Sequence, residues 1–270
     1  MRAIGSFAYH RAPGVRVNVE ANLRVVLDST PATANEVNSL VRRSFKSYGA
    51  YWSDVFHLAH MSKRRVLRSF IDHDLAPVRS ILDAGGTILA LPHLGTWEMG
   101  GLWLHHQGFS VLSVAEPASS PQLTAWFTRE RARLGLVVHQ LGERTTAALL
   151  EGLSRGEIIA LVADRDIVGD GIEVTMFGRS TSLPGGPALL ALRSGRPLVP
   201  CAIYQQPHGR YLPVALESVA TDRRGSLRED IARITQDLAT AFEVLIAGAP
   251  DQWHVFQPRF HEVSPSMEVG

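Results

Sequence analysis

The sequence predicts an α/β protein, with a central, mostly parallel or mixed sheet flanked by helices and a helical part at its N-terminal end. From Ile81 onward, short apolar runs of strand length alternate with segments of helical length, which is the rhythm of βαβ units. Residues 1–80 carry helical patterns and few strand signals. The chain has 270 residues, of which 45% are hydrophobic, so it can bury a large core. We therefore expect a single domain over 1–270, made of the helical part, a core over 81–260 and a flexible tail over 262–270.

Each predicted strand is a short apolar run bounded by turn residues. In chain order these strands are Ile88–Leu91, Val111–Ala115, 137–139, Ile158–Val162, 198–204 and 211–216. The predicted helices between them begin near a cap or a proline and end near a glycine or basic residues. In chain order these helices are 97–107, 121–134, 144–154, 187–194 and 227–247. The second of them ends at Gly135 with arginines in its last turns, where cations favour the helix dipole.

The overall charge argues against one class of partner. Lys and Arg number 27 against 26 Asp and Glu, and a formal net charge of +1 is not the basic excess of nucleic-acid-binding proteins. The single cysteine, Cys201, excludes an internal disulfide and fits a reducing compartment. It lies in an apolar run, where a small buried hydrophobe is a better interpretation than a nucleophile. No secretory signal or membrane-spanning run is recognisable, so we expect at most a peripheral membrane protein.

The most informative motif is His93-Leu94-Gly95-Thr96-Trp97-Glu98, which follows the predicted strand Ile88–Leu91. His93 would lie at the carboxyl end of that strand, and Thr96 would cap the next helix with Glu98 in its first turn. Such a crevice is where α/β sheets place their ligand sites. A histidine held by a carboxylate acts as a general base, because the carboxylate fixes the tautomer and stabilises the imidazolium. The alternative is a loop histidine beside an acid that favours the helix dipole.

A second cluster, Asp164-Arg165-Asp166, follows the predicted strand Ile158–Val162 and therefore also lies at a strand's carboxyl end. The two acids can hold the guanidinium while it binds a phosphate or polarises a carbonyl. A solvated turn explains the triplet equally well when it is taken in isolation.

A third cluster runs from Phe177 to Pro187 and contains Gly178, Arg179, several hydroxyl side chains and Pro184. These residues indicate an anion-binding loop that opens a helix N-terminus. A plain loop would have the same composition. Three such clusters along one alternating α/β chain are harder to explain by chance than any one of them.

Residues 44–70 combine aromatic and basic side chains. Such a segment can lie among lipid headgroups, with its apolar face toward the membrane and its cations toward the phosphates. The alternative is a helical layer that packs on the sheet and leaves its basic residues solvated, and the two interpretations are compatible on different faces. The basic residues are Lys46, Lys63, Arg64, Arg65 and Arg68.

Taken together, these motifs resemble the bacterial lipid A biosynthesis acyltransferase family, and within it the phosphatidylinositol mannoside acyltransferase branch of actinobacteria. The resemblance covers roughly residues 20–260. A His-x4-acid motif alone is shared widely among glycerolipid acyltransferases, but its combination with the other segments is much more specific. The segments that carry it are His93–Glu98, Asp164–Asp166, Phe177–Gly178, Leu183–Ala188, Leu198–Pro200, Asn22–Val26, Ser47–Trp52 and Asp251–Pro258.

The resemblance implies a glycerolipid-acyltransferase-like fold and an enzyme that moves a long-chain fatty acyl group from a thioester, acyl-CoA or acyl carrier protein, to a hydroxyl of a membrane glycolipid. The expected acceptor is a phosphatidylinositol mannoside. His93 would deprotonate the acceptor hydroxyl and Glu98 would orient His93. No acyl-enzyme, metal or redox cofactor is expected, and the protein would lie on the cytoplasmic face of the plasma membrane, bound to its anionic surface.

The resemblance also assigns the residues that bind substrate. They are Thr96, Asp164, Arg165, Asp166, Phe177, Gly178, Arg179 and Pro184. Thr96 stands where many members of the lipid A family have asparagine, so side-chain amide contacts would be lost there. Backbone N–H groups at 95–97, or Arg165, could stabilise the oxyanion formed by attack on the thioester, each such donor being typically worth roughly 3 kcal/mol.

Other classes of protein fit the sequence less well. A serine hydrolase needs a Gly-x-Ser-x-Gly elbow, and a dinucleotide enzyme needs a Gly-x-Gly-x-x-Gly turn; neither occurs. A metal enzyme using His93, His105 and His106 lacks a supporting ligand spacing. Two alternatives stay open: an acyltransferase of the lysophospholipid or lipid A type with another acceptor, and a non-catalytic lipid-binding relative.

Overall fold

A computed structural model describes residues 2–28, 33–71, 76–115, 120–142 and 144–260. Its N-terminal part is helical, as the sequence predicts. Thr33 and Ser226 each begin a helix with a capping box, in which the side chain accepts from the backbone N–H of a glutamate that in turn bonds the cap residue's own N–H. The N-terminal helices are α1 (Arg2–Arg11), α2 (Pro13–Leu27), α3 (Ala34–His57), α4 (Lys63–Ser69) and α5 (Ala76–Asp83).

A six-stranded sheet forms the centre of the molecule, in the order β3-β2-β4-β1-β7-β8. All its neighbouring strands pair in parallel except β7 and β8, which are antiparallel, so the predicted mostly parallel, mixed sheet is confirmed. Its strands are β1 (Ile88–Leu91), β2 (Val111–Ala115), β3 (Val137–Gln140), β4 (Ile158–Val162), β7 (Leu198–Gln206) and β8 (Arg210–Ala215).

Helices cover both faces of this sheet, as parallel sheets require. On one face, α8, α9 and α10 bury apolar side chains against Ile88 and Ala90 of β1. On the other face, α5 and α6 pack against Leu89 and Leu91. The helices of the core are α6 (Trp97–His106), α7 (Pro121–Arg133), α8 (Thr145–Ser154), α9 (Gly186–Ser194) and α10 (Leu227–Gly248).

The sequence predicts a loop over Phe177–Pro187, but Arg179–Leu183 form strand β6, which pairs with β5 (Ile172–Met176) in a hairpin that the sequence did not predict. Its signal is an alternation of apolar and polar residues in β5, just before the turn Phe177-Gly178. Both turn residues have positive φ, 50° and 71°, which matches the twist of a two-residue hairpin connection. A bulky residue such as Phe177 rarely adopts this conformation, so the turn escapes a search for Asn-Gly or Asp-Gly pairs.

The aromatic and basic segment predicted at 44–70 falls in α3, a 3₁₀ turn at Leu58–His60 and α4. Phe45, Tyr51 and Val66 are buried, whereas Lys63 and its basic neighbours on α4 are exposed, so this segment packs on the core through one face and presents cations on another. Within the described part of the chain, no helix combines the length and the apolar character needed to cross a bilayer. The tail predicted at 262–270 lies outside the described residues.

Candidate active site

The register of the sheet brings His93 next to Asp164. β1 and β4 pair in parallel with Leu91 opposite Val162, and His93 and Asp164 each follow two residues later. Two strand ends that were predicted separately therefore meet at the carboxyl edge of the sheet. The pairing joins the first and second sequence clusters into one site.

His93 is bonded to Asp164 through Nδ1, which lies 2.5 Å from Oδ1 of the carboxylate. An ionised carboxylate only accepts hydrogen bonds, so Nδ1 carries a proton, and in the neutral form of the ring Nε2 carries the lone pair. The His93 side chain is 18% exposed, which leaves the ring reachable by a substrate. A neutral imidazole with its other nitrogen held by a carboxylate is the arrangement of a general base.

Asp164 is fully buried and accepts a second hydrogen bond at Oδ2, from the indole Nε1 of Trp253 at 2.8 Å. Burial works to raise the pKa of Asp164, but the neighbouring His93, the two hydrogen bonds and the charge of Arg259 outweigh it and lower that pKa to about 2. The Asp164 carboxylate is therefore ionised in the folded protein at neutral pH. It can then stabilise positive charge that forms on His93.

The C-terminal segment also fixes the backbone of the His93 motif. The His254 N–H donates to the His93 carbonyl oxygen at 2.7 Å, and the Gly95 N–H donates to the Gln252 carbonyl oxygen at 2.9 Å. Gly95 has a φ of 66°, and a Cβ there would overlap the carbonyl oxygen of Ile203. Only glycine fits this turn, because it combines a left-handed conformation with a close backbone approach.

Glu98 does not orient His93, which corrects the prediction from the resemblance. It lies in the first turn of α6, as predicted, but its Oε1 accepts from Nη2 of Arg131 on α7 at 2.5 Å. Glu98 is 7% exposed. Burial works to lower the pKa of Arg131, yet the Glu98 carboxylate raises it overall, so the guanidinium stays charged. The acid at His93 is Asp164 because the strand register, not the sequence spacing, decides which carboxylate reaches the ring.

Thr96 occupies the predicted cap position but makes no side-chain cap. Its hydroxyl is buried and has no hydrogen-bond partner among the described residues. Two of the backbone donors proposed for an oxyanion are already used, since Gly95 N–H bonds Gln252 and Thr96 N–H bonds the Ile203 carbonyl. The first-turn N–H groups from Trp97 onward stay available, as at any helix start.

The remaining residues of the Asp-Arg-Asp triplet differ in their contacts. Asp166 does not hold Arg165: it accepts from the N–H groups of Gly169 and Gly171 and from the Ser182 hydroxyl. Partial burial works to raise the pKa of Asp166, and these hydrogen bonds lower it overall. Arg165 is half-buried and has no hydrogen-bond or ion-pair partner among the described residues, so its guanidinium is available to a substrate.

No hydrogen bond or ion pair among the described residues joins the third cluster directly to His93 or Asp164. The Phe177 N–H donates to Oε1 of Glu243 on α10 at 2.6 Å, and Arg179 lies 3.5 Å from Asp28. Gly178 completes the hairpin turn. Pro184 is half-buried and follows β6 just before α9 begins. The structure therefore places Phe177, Gly178 and Arg179 in the hairpin and Pro184 directly after it, and their predicted substrate contacts stay a prediction.

Sequence reasoning missed Arg259, which lies buried near Asp164. Its Nη2 donates to the Ser182 carbonyl at 2.8 Å and its Nη1 bonds the Thr181 hydroxyl. Its backbone N–H donates to Oδ1 of Asn22, whose amide donates to the carbonyls at Val255 and Gln257. These bonds tie the C-terminal segment to α2. Trp253 lies in Asp251–Pro258, one of the segments that carry the family resemblance, but no sequence pattern indicates that its indole bonds Asp164.

His254 is a second buried imidazole at the site. Its Nε2 lies 3.0 Å from the Ser47 hydroxyl, and its Nδ1 has no hydrogen-bond partner among the described residues. Burial lowers the pKa of His254 to about 3, and the nearby His93 adds to this shift against the opposing Asp164 carboxylate. The ring is therefore neutral over the whole range in which enzymes normally work.

An apolar cavity lies between the sheet and helix α6, on the far side of Trp97 from His93. Trp97 lines it, and the centroid of the Trp97 ring is 5.2 Å from that of His93. Glu98 and Arg131 lie in the same wall. The floor consists mostly of small or aliphatic side chains of the sheet: Leu89, Leu91, Val111, Ser113, Val114, Ala115, Val138, Ala160, Val162, Cys201, Ile203, Pro213, Val214 and Ala215.

Comparisons with known proteins find relatives along most of the chain. A family model described as bacterial lipid A biosynthesis acyltransferase matches residues 1–262. The phosphatidylinositol mannoside acyltransferase of Mycobacterium tuberculosis (strain ATCC 25618 / H37Rv) is 35% identical over 266 residues, covering 94% of this chain and 79% of its own. The protein of the same name from Mycolicibacterium smegmatis (strain ATCC 700084 / mc(2)155) is 35% identical over 243 residues, covering 88% of this chain and 77% of its own.

Proposed function

Because this chain belongs to the bacterial lipid A biosynthesis acyltransferase family, and so is an acyltransferase with an acyl donor and a lipid acceptor, we propose that it esterifies a membrane glycolipid by general-base catalysis at His93. The observation that carries the proposal is an imidazole that is held by the buried Asp164 and packs against Trp97, which lines an apolar cavity. A base that is fixed by a carboxylate and borders an apolar site is what acyl transfer to an alcohol needs.

The reaction follows from the tautomer. Nε2 of His93 takes the proton of the acceptor hydroxyl as its oxygen attacks the thioester carbonyl carbon. The oxyanion that forms is stabilised by first-turn N–H groups of α6 or by Arg165. The intermediate collapses by breaking the carbon–sulfur bond, and the thiolate takes the proton back from His93. The products are an ester and a thiol, with no covalent acyl-enzyme and no metal or redox cofactor in any step.

The donor's acyl chain occupies the cavity beside Trp97. Its apolar walls match a hydrocarbon, and burying a methylene gains about 0.8 kcal/mol, so binding energy comes from the chain rather than from polar contacts. Glu98 and Arg131 neutralise one another in the same wall. The pair keeps a charged helix start compatible with a neighbouring hydrocarbon.

We propose a phosphatidylinositol mannoside as the acceptor. The support is the 35% identity to proteins of that name over most of both chains. Arg165 lies next to Asp164 in the chain, and as a free guanidinium it suits the phosphate or the hydroxyls of such a headgroup. Acyl-CoA and acyl carrier protein are both suitable donors, and the choice between them is made by the assay below.

We propose that the protein binds the cytoplasmic surface of the plasma membrane through its N-terminal helices. Lys63, Arg64 and Arg65 are exposed on α4, and Phe56 on α3 is 48% exposed. Each basic residue near an anionic surface contributes about 1 kcal/mol. Replacing the three cations by glutamate should weaken sedimentation with anionic vesicles but not turnover of soluble thioesters. Unchanged sedimentation would remove α4 from the proposed surface.

Turnover of radiolabelled acyl-CoA, or acyl carrier protein loaded with the same chain, onto phosphatidylinositol mannosides tests the proposed activity. The wild-type enzyme should form the acylated lipid, and His93→Ala should lose it while keeping the wild-type circular dichroism spectrum and melting temperature. Arg165→Ala should also lose most turnover without a change in vesicle binding. Wild-type activity in a folded His93→Ala protein would overturn the mechanism. A wild-type protein that binds the glycolipid but never acylates it would favour a non-catalytic lipid-binding relative.

A further inference from the structure

The apolar cavity has a direction that the strand register defines. Ala115 at the carboxyl end of β2 and Val111 at its amino end both line the cavity, and four residues of strand span roughly 13 Å. The end near Trp97 lies at the carboxyl edge of the sheet, where His93 is found. The opposite end therefore lies at the amino edge, farthest from the reacting atoms.

Two side chains meet at that far end. Phe109 comes two residues before Val111, and Arg79 comes from α5, which precedes β1; both line the cavity. The Arg79 guanidinium lies over the Phe109 ring, 5.2 Å from its centroid. It is also held by Asp83, with Nε 3.0 Å from Oδ1, and about half of the Arg79 side chain is exposed. An aromatic ring with a hydrated cation behind it therefore ends the apolar wall.

We propose that this Arg79–Phe109 pair is the stop that sets the longest acyl chain the enzyme accepts. The inference rests on the proposed function, since it assumes that the donor's chain enters from the His93 end. A chain that ends before Phe109 buries all its methylenes. A longer chain has to displace the ring or push its methyl end toward a charged, hydrated group, so the added methylenes bring no further gain.

The helical wall offers a second position that should set chain length from the opposite direction. Gly101 on α6 lines the cavity about midway along the helix. A Cβ built there meets only the Leu136 side chain, at 3.4 Å, which is ordinary contact. A larger side chain at 101 fits the helix backbone, improves helix propensity and fills the cavity ahead of Phe109.

The test compares kcat/KM for a series of saturated acyl thioesters of increasing length, using the wild-type enzyme, Phe109→Ala, Arg79→Ala and Gly101→Leu. Phe7→Ala is a matched control. The Arg11 guanidinium lies 4.9 Å from the centroid of the exposed Phe7 ring, and neither residue lines the cavity. Each methylene that becomes newly buried raises kcat/KM about fourfold. Phe109→Ala should therefore prefer a longer chain than the wild-type enzyme. For a chain with two added methylenes, its kcat/KM should rise by roughly tenfold or more.

Arg79→Ala should shift the preference in the same direction and Gly101→Leu in the opposite one, whereas Phe7→Ala should keep the wild-type profile. An unchanged profile in folded Phe109→Ala and Arg79→Ala would overturn the stop. Displacement of a fluorescent fatty acid by free acids of the same lengths provides a readout that needs no turnover. If the wild-type enzyme transfers no acyl chain, the proposed function fails. The chain length that displaces the fluorescent acid best, compared between the wild-type enzyme and the variants, still shows whether Arg79 and Phe109 limit chain length. If Phe109→Ala does not fold, the exposed Arg79 and the helical Gly101 supply the same decision.

Discussion

Replacing Asp164 by asparagine isolates the acid that orients His93. The carboxylate accepts from two donors, His93 Nδ1–H at 2.5 Å and Trp253 Nε1–H at 2.8 Å. An asparagine has one acceptor oxygen and one NH₂ group, so it can satisfy only one of the two donors in this geometry. Either His93 changes tautomer and loses the lone pair on Nε2, or the Trp253 indole is left unpaired in the core.

The size of the effect follows from the charge that is lost. The folded pKa of Asp164 is about 2 against an ordinary value of 3.8, so its ionised form is favoured by roughly 2 kcal/mol in the folded protein. A depressed carboxylate pKa stabilises the fold fully above pH 3.8, and this contribution is lost as the pH falls toward 2. At neutral pH, Asp164→Asn should therefore lower the free energy of unfolding by roughly 2 kcal/mol. It should also slow turnover by about 10³- to 10⁴-fold, the cost of a wrong tautomer in a comparable carboxylate–histidine pair.

The decisive comparison is between Asp164→Asn and Glu98→Gln in the same assay. Steady-state turnover with saturating thioester gives kcat, and nitrogen chemical shifts of the His93 ring report its tautomer directly. We expect Asp164→Asn to lose both the rate and the Nδ1–H tautomer, and Glu98→Gln to keep the tautomer. If Asp164→Asn kept more than a tenth of the rate while Glu98→Gln changed the tautomer, the assignment of Asp164 would be wrong.

Three further predictions concern the neighbours of this pair. Trp253→Phe removes one hydrogen bond to the buried Asp164 carboxylate, worth roughly 1.5–3 kcal/mol, and should raise the pKa of Asp164. Acid unfolding should therefore begin at a higher pH, which guanidinium or thermal unfolding measured at a series of pH values would detect. Glu98→Gln should destabilise the protein by roughly 3 kcal/mol because Arg131 loses its partner, and adding Arg131→Gln should recover much of this in calorimetry if the pair is structural. The pKa of His254 is about 3 in the folded protein against 6.5 ordinarily, so the unfolded state gains a proton below pH 6.5 and the free energy of unfolding falls by roughly 2 kcal/mol at pH 5. In His254→Gln, chemical unfolding at pH 7 and pH 5 should show a difference in this free energy that is smaller by the same amount.

The sequence was sufficient to predict the sheet because its strands are apolar runs separated by helical segments. β1, β2 and β4 have the predicted bounds, and β3, β7 and β8 differ at their ends. Local alternation carries this information, since the sheet buries both faces of its central strands. The hairpin around Phe177 escaped prediction because its turn depends on backbone conformation that the residue type disfavours.

The partner of His93 could not be read from spacing alone. Glu98 is five residues away in sequence and Asp164 is seventy-one, yet the bond is made to Asp164. Strand order determines this choice: β4 lies directly beside β1, although three helices (α6, α7 and α8) and two strands (β2 and β3) separate them in sequence. The assumption that β1 and β4 are parallel neighbours, with their ends aligned, would have predicted the bond. Trp253 and Arg259 come from a segment without regular structure, where no periodic pattern can indicate a contact.

The apolar face of the sheet next to the site follows from strand geometry. Side chains alternate between the two faces, so residues separated by two share a face. Leu89 and Leu91 of β1 and Ala160 and Val162 of β4 line the cavity, whereas Ala90, Leu161 and Ala163 pack on the face that α8, α9 and α10 cover. A single inserted residue in either strand would exchange these two sets of side chains and would also break the register that places His93 beside Asp164. One parallel pairing of two strands therefore determines both an apolar face for a hydrocarbon and the carboxylate that holds the base.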